Sequence, residues 1–210
     1  KHAGMLALAL HLGAPVETYH RPEHPVQLAV GKTIARFTDV PVEDLVVATD
    51  GCAVPVFGIT MKAMALSYAR LVSPPASFDQ ATRDACRRVV RVMNAYPELI
   101  GGSSDRLDTE IMKATPGRVV SKVGAEGVYT AGVNPCEEWP RGFGLALKIE
   151  DGDDRRARPT VVVEALRQLG VLRDESLDAV ARYAFFPVLN RPGEIVGEIR
   201  AEFELKRPES

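Results

Sequence analysis

The chain has 210 residues, 46% of them apolar and 26% charged, which places it among globular proteins and excludes disordered or collagen-like chains. Its 26 Lys and Arg against 28 Asp and Glu give a net charge of −2, without the basic excess that nucleic-acid binding needs. No apolar run reaches the roughly 18 residues of a membrane-spanning helix, and three cysteines are too few for a disulfide scaffold, so no membrane partner and a reducing cytoplasm are expected.

The elements fall into a helical part and a strand-rich part. His2 to His11 is an apolar helical run, and it lacks the cleavage site of a signal peptide. Pro25 suits the first turn of a second helix, with Val26, Val30, Ile34 and Phe37 on one face. Leu45 to Ala48 reads as a short buried strand running into an Asp50–Gly51 turn. A third helix carries the stripe Met61, Met64, Tyr68 and Leu71 and ends at Pro74. Ser77 or Asp79 caps a fourth, with Ala85, Val89, Val92 and Tyr96, which stops before Pro97.

After a Gly-Gly-Ser-Ser loop at 101–104, Asp105 to Ala114 reads as a short helix. Arg118 to Gly124, Gly127 to Val133 and Gly142 to Ile149 read as three strands, and Pro159 opens a helix that Gly170 stops. The residues from Ile195 to Lys206 alternate apolar and polar, so one face is expected on a core and the other in water. Short antiparallel strands after a helical block give an α+β fold with helices on a sheet. No linker splits the chain, so a single domain over 1–210 is expected.

Several short constellations carry chemistry, each beside a plainer reading. Lys1–His2 offers a cation and a group that titrates near neutral pH, or an exposed pair at a chain end. Asp50–Gly51–Cys52 puts an acid and a thiol on a tight turn after a strand, or an ordinary turn followed by a buried cysteine. Lys122–Val123–Gly124–Ala125–Glu126–Gly127 sets a lysine at a strand end beside a glycine that lets substrate approach. Glu126 then pairs that lysine or contacts a substrate amine. The plainer reading is a hairpin turn with a surface Lys-Glu pair. The mixed-charge run from Lys148 to Arg156 reads as a solvated loop. Cys86 and Cys136 have no Cys-x-x-Cys spacing and read as structural.

No hydrolase nucleophile is complete in the sequence. None of Ser67, Ser73, Ser77, Ser103, Ser104, Ser121, Ser176 and Ser210 has Lys three residues on, and Gly-x-Ser-x-Gly is absent.

Taken in order, Lys-His-Ala-Gly-Met at 1–5, His-Pro-Val-Gln at 24–27, Asp-Gly-Cys at 50–52, Lys-Val-Gly-Ala-Glu-Gly at 122–127 and Leu-Lys-Ile-Glu-Asp-Gly at 147–152 resemble the thermolabile, Rhizobium-type L-asparaginase II family. The resemblance covers nearly the whole chain and corresponds to the C-terminal two-thirds of a family member. It implies a serine β-lactamase or penicillin-binding-protein-like fold with its N-terminal part missing. It also implies hydrolysis of L-asparagine to L-aspartate and ammonia through a serine acyl-enzyme. The serine and its Ser-x-x-Lys partner then lie upstream, and these residues alone are expected to be inactive.

The resemblance makes Lys122 a catalytic lysine and Lys1 and Cys52 ligands of a zinc ion. His2, Asp50 and Glu126 become candidates for substrate contact. Ala53 stands where the family commonly has Gly. A homodimer is the expected assembly. Two further readings follow from the same residues: a related amidase acting on glutamine or a β-lactam, and a non-catalytic ligand-binding domain. The two-domain asparaginases with a Thr-Gly-Gly-Thr start are disfavoured, since that start is absent.

Overall fold

A computed structural model describes residues 1–206. The architecture is α+β: helices with three small antiparallel sheets. By their internal contacts, Lys1–Ser67 and Tyr68–Ser210 form two compact units. Among the described residues no helix is long and apolar enough to cross a membrane.

The first unit opens with α1 (His2–His11) and α2 (Pro25–Thr38). Pro25 occupies the first turn of α2, where its missing N–H costs nothing. His24 caps the helix: its Nδ1 accepts from Val26 N at 3.2 Å, and its Nε2 lies 2.9 Å from Pro15 O. The second contact requires a proton on Nε2, so both ring nitrogens are used and the tautomer is fixed. Gln27, also buried, donates to Tyr19 O at 2.7 Å. The His-Pro-Val-Gln segment therefore starts a helix and ties down the loop before it. β1 (Val46–Thr49) and β2 (Pro55–Gly58) complete the unit as a hairpin.

In the second unit, β3 (Val119–Val123), β4 (Val128–Val133) and β5 (Phe143–Lys148) form one sheet in that order. Register pairs Lys122 with Thr130 and Val123 with Tyr129. Val119, Tyr129, Ala131 and Val133 face a core shared with α6 (Leu107–Ala114) and α7 (Arg158–Gln168), through Ile111, Val162 and Leu166. The other face receives the end of α3 (Met61–Val72): a Cβ on Gly132 would sit 3.1 Å from Tyr68 O. Asp79 is the cap of α4 (Gln80–Ala95), accepting from Thr82 N at 2.8 Å.

Four elements lie outside the sequence expectation. These are β2, the short helices α5 (Pro97–Gly101) and α8 (Asp174–Asp178), and β6 (Phe185–Leu189). The last alternating run is corrected in two ways. Its strand, β7 (Ile195–Arg200), stops at Arg200, where its partner β6 begins opposite at Phe185. Neither face is sealed: Ile195 is 73% and Val196 62% exposed, since a two-stranded ribbon buries little by itself.

Candidate functional site

Two lysine–carboxylate clusters stand out, one in each unit. The first is built on the β1–β2 turn. Asp50 N donates to Val54 O and Ala53 N to Asp50 O, both at 2.9 Å, closing the loop tightly. Gly51 N donates to Asp50 Oδ1 at 2.8 Å, which leaves Oδ2 directed elsewhere. Lys1 Nζ donates to Asp50 Oδ2 and to Cys52 Sγ, and Cys52 Sγ donates to Asp50 Oδ2, all at 3.0 Å. The nitrogen, oxygen and sulfur thus form a triangle. Cys52 is exposed, which corrects the reading of a buried cysteine.

The triangle sets the proton affinities. Hydrogen bonds from Cys52 and then Lys1 hold the Asp50 carboxyl down to about 2. The Lys1 ammonium is held above its ordinary value, chiefly by the hydrogen bond to Cys52. His2, next to Lys1 in the chain, is held by Tyr19. Its Nδ1 lies 2.7 Å from Tyr19 Oη, with the two rings edge to face. Tyr19 is the residue whose carbonyl Gln27 holds, so the His-Pro-Val-Gln segment acts on His2 through it.

Sulfur, nitrogen and carboxylate oxygen are all donors zinc accepts, and three of them converge here once their protons leave. The donor set therefore fits a zinc ion. Among the described residues no group of three or more His, Cys, Asp and Glu is placed to hold a metal, so this convergence depends on a lysine.

The second cluster surrounds Lys122, near the end of β3. Nζ donates to Val123 O at 2.8 Å and lies 3.7 Å from Asp108 Oδ2. Asp108 is wholly buried. Its Oδ2 also accepts from Val123 N at 3.3 Å, satisfying a backbone donor on the outer edge of the sheet. Its Oδ1 accepts from Thr109 N and faces Arg106 Nε at 3.8 Å. Burial lowers the proton affinity of Lys122; Asp108 pulls it back up, and Arg106 and Arg158 push it further down. A lowered proton affinity raises the share of lysine present as the neutral amine, the form that can accept a proton.

Glu126 does not pair with Lys122. It sits at φ 59 on the β3–β4 turn with its side chain exposed, and its carbonyl accepts from Lys148.

Sequence reading missed Asp108 and Tyr19. The signal for Asp108 was present: it shares the buried side of α6 with Leu107, Ile111 and Met112, and a carboxylate among such residues requires a partner. Tyr19 carried no signal, since its role depends on a loop held from α2.

An α+β protein with two lysine–carboxylate clusters has the groups for proton transfer at an amide. The family model of L-asparaginase II matches residues 1–201, and the chain belongs to that family. This membership supports an amidohydrolase role with asparagine as substrate. No curated protein matches the chain.

Proposed function

We propose that this protein hydrolyses L-asparagine to L-aspartate and ammonia by serine acyl transfer on a β-lactamase-like fold. The observation that carries the proposal, beside family membership, is Lys122: a half-buried amine with lowered proton affinity, anchored by its strand carbonyl and by a wholly buried aspartate. In this reading a serine from a Ser-x-x-Lys segment, which these residues do not contain, attacks the side-chain amide carbon. Ammonia leaves, and water then cleaves the aspartyl ester. Lys122 relays the proton between serine and leaving amine, and Asp108 positions it. His2, Asp50 and Glu126 serve as substrate contacts.

Lys1 Nζ and Cys52 Sγ would hold a zinc ion, with Asp50 beside them, and such an ion supplies Lewis-acid polarisation or positioning of substrate. A reducing cytoplasm is the setting this reading assigns. A homodimer completes the proposal.

Ammonia release from L-asparagine by the natural protein tests this reading, with L-glutamine as the parallel substrate. Lys122→Met is expected to lower kcat by about 100-fold to 10,000-fold, the usual worth of a proton-transfer group. Unchanged kcat in that variant sinks the role of Lys122. Cys52→Ala is expected to lower zinc content measured by elemental analysis, and equal zinc in both proteins removes Cys52 as a ligand.

A further inference from the structure

A cavity of about 460 Å³ opens in the second unit, with Arg106, Arg155 and Arg158 on its wall and Val123, Tyr183 and Phe186 among its apolar lining. Val123, the neighbour of Lys122 on β3, is among the lining residues, and Lys122 is not. Two aspartates also line it, and both are already engaged. Asp154 Oδ1 accepts from Gly127 N at 2.8 Å and from Arg158, while Asp105 pairs with Arg182 at 3.2 Å. Three arginines against two aspartates leave the wall with one net positive charge.

Arg158 is the most informative of these residues. It is only 8% exposed, yet all its hydrogen bonds leave from Nη1, to Gly124 O, Val128 O and Asp154. Its Nε is buried with no partner at all. A buried guanidinium normally has its donors satisfied, because an unpaired charged donor away from water is costly. Arg155 is exposed, and its side chain makes no ion pair or hydrogen bond among the described residues. The cavity also meets the first turn of α7, whose free backbone N–H groups favour negative charge.

We infer that this cavity binds a small organic monocarboxylate with an apolar body, its carboxylate on Arg155 and Arg158 and its body against Tyr183 and Phe186. One excess positive charge matches one carboxylate. A phosphate dianion leaves one charge unmatched. The planar guanidinium fork suits two carboxylate oxygens, and the aromatic lining gives the apolar body a place that water fills poorly.

Isothermal titration of the full chain with benzoate tests this, against benzamide as neutral isostere and inorganic phosphate as bare anion. Benzoate is expected to bind saturably at one site, at least tenfold more tightly than either comparison compound. Arg155→Gln is expected to weaken benzoate at least fivefold, and Arg155→Glu to abolish it. Arg155 is solvent-facing and unpaired, so these variants spare the fold, which melting temperature checks. Benzamide equal to benzoate, phosphate equal to benzoate, or wild-type affinity in Arg155→Gln each overturns the inference. Binding is read without turnover, so the outcome is independent of asparagine hydrolysis.

Discussion

The two lysines sit beside aspartates and respond in opposite ways. At Lys1 both partners are in water, with side chains 49% and 44% exposed, and the contact is a 3.0 Å hydrogen bond. That lysine keeps its proton more firmly than usual, with Cys52 the main cause. At Lys122 the aspartate is fully buried and the gap is 3.7 Å. Burial of the ammonium outweighs this longer attraction, and the amine gives up its proton more easily. Solvation, more than the presence of a carboxylate, therefore separates the two. A firmly protonated Lys1 would have to lose its proton before ligating the proposed zinc ion, so uptake there would be coupled to proton release. The lowered proton affinity of Lys122 is the feature on which its proposed proton-transfer role rests.

The largest expected effect comes from breaking the buried cluster. Asp108→Ala removes the only carboxylate among the described residues that faces Lys122 and Arg106, and strips Val123 N–H of its acceptor. Lys122 and Arg106 are 41% and 43% exposed, so the main loss is the acceptor of Val123 N–H, and denaturant unfolding is expected to show a drop of about 1–3 kcal/mol. Because Asp108 raises the proton affinity of Lys122, Asp108→Asn is expected to lower it further, read by NMR titration of the lysine. Gly101→Ala attacks the same place from behind. Its Cβ would collide with Asp108 Oδ1 and Thr109 Oγ1, and such overpacking costs about 1–3 kcal/mol. Wild-type melting in Gly101→Ala would show that Asp108 is free to move.

The exposed cluster is expected to show its contribution only through pH. The folded value of the Asp50 carboxyl, about 2, lies below its ordinary 3.8. The unfolded chain therefore takes up the proton first, and the contribution is present above about pH 4 and lost as pH falls towards 2. Wild type and Asp50→Asn are expected to differ by a constant amount at neutral pH and to converge in that acid window. A gap that persists at pH 2 would mean the difference does not come from the charge on Asp50.

The same contrast explains what was legible in the sequence. Helices α1 and α2 and the strands β3, β4 and β5 were readable because period and stop signals agreed. β2 begins with Pro55 and ends with Gly58, and β6 carries Pro187 at its centre, so composition at both reads as turn. Pro97 ends α4 and also occupies the first turn of α5, a double use that a stop signal hides. In the sites, Lys1, Asp50 and Cys52 were found through motifs rather than from spacing, since their contacts span 49 and 51 residues. The buried partner of Lys122 went unseen because α6 looks amphipathic with or without Asp108.

The smallest effect concerns the turn that carries the first cluster. Ala53 stands at φ 68, the left-handed region where a Cβ crowds the following carbonyl at a cost of about 1–2 kcal/mol. Gly fits there without strain. Ala53→Gly removes that strain but gives the unfolded chain more freedom, worth about 0.5–1 kcal/mol in the other direction. The net gain is therefore expected to lie between about 0 and 1.5 kcal/mol, visible as a small rise in the denaturation midpoint with an unchanged slope. Because Ala53 N donates to Asp50 O, relaxing this residue also frees the turn that aims Asp50 and Cys52 at Lys1. If Ala53 is what holds the triangle closed, Ala53→Gly will raise stability while weakening zinc uptake; a variant that gains both shows the turn to be set by Gly51 and Val54 instead.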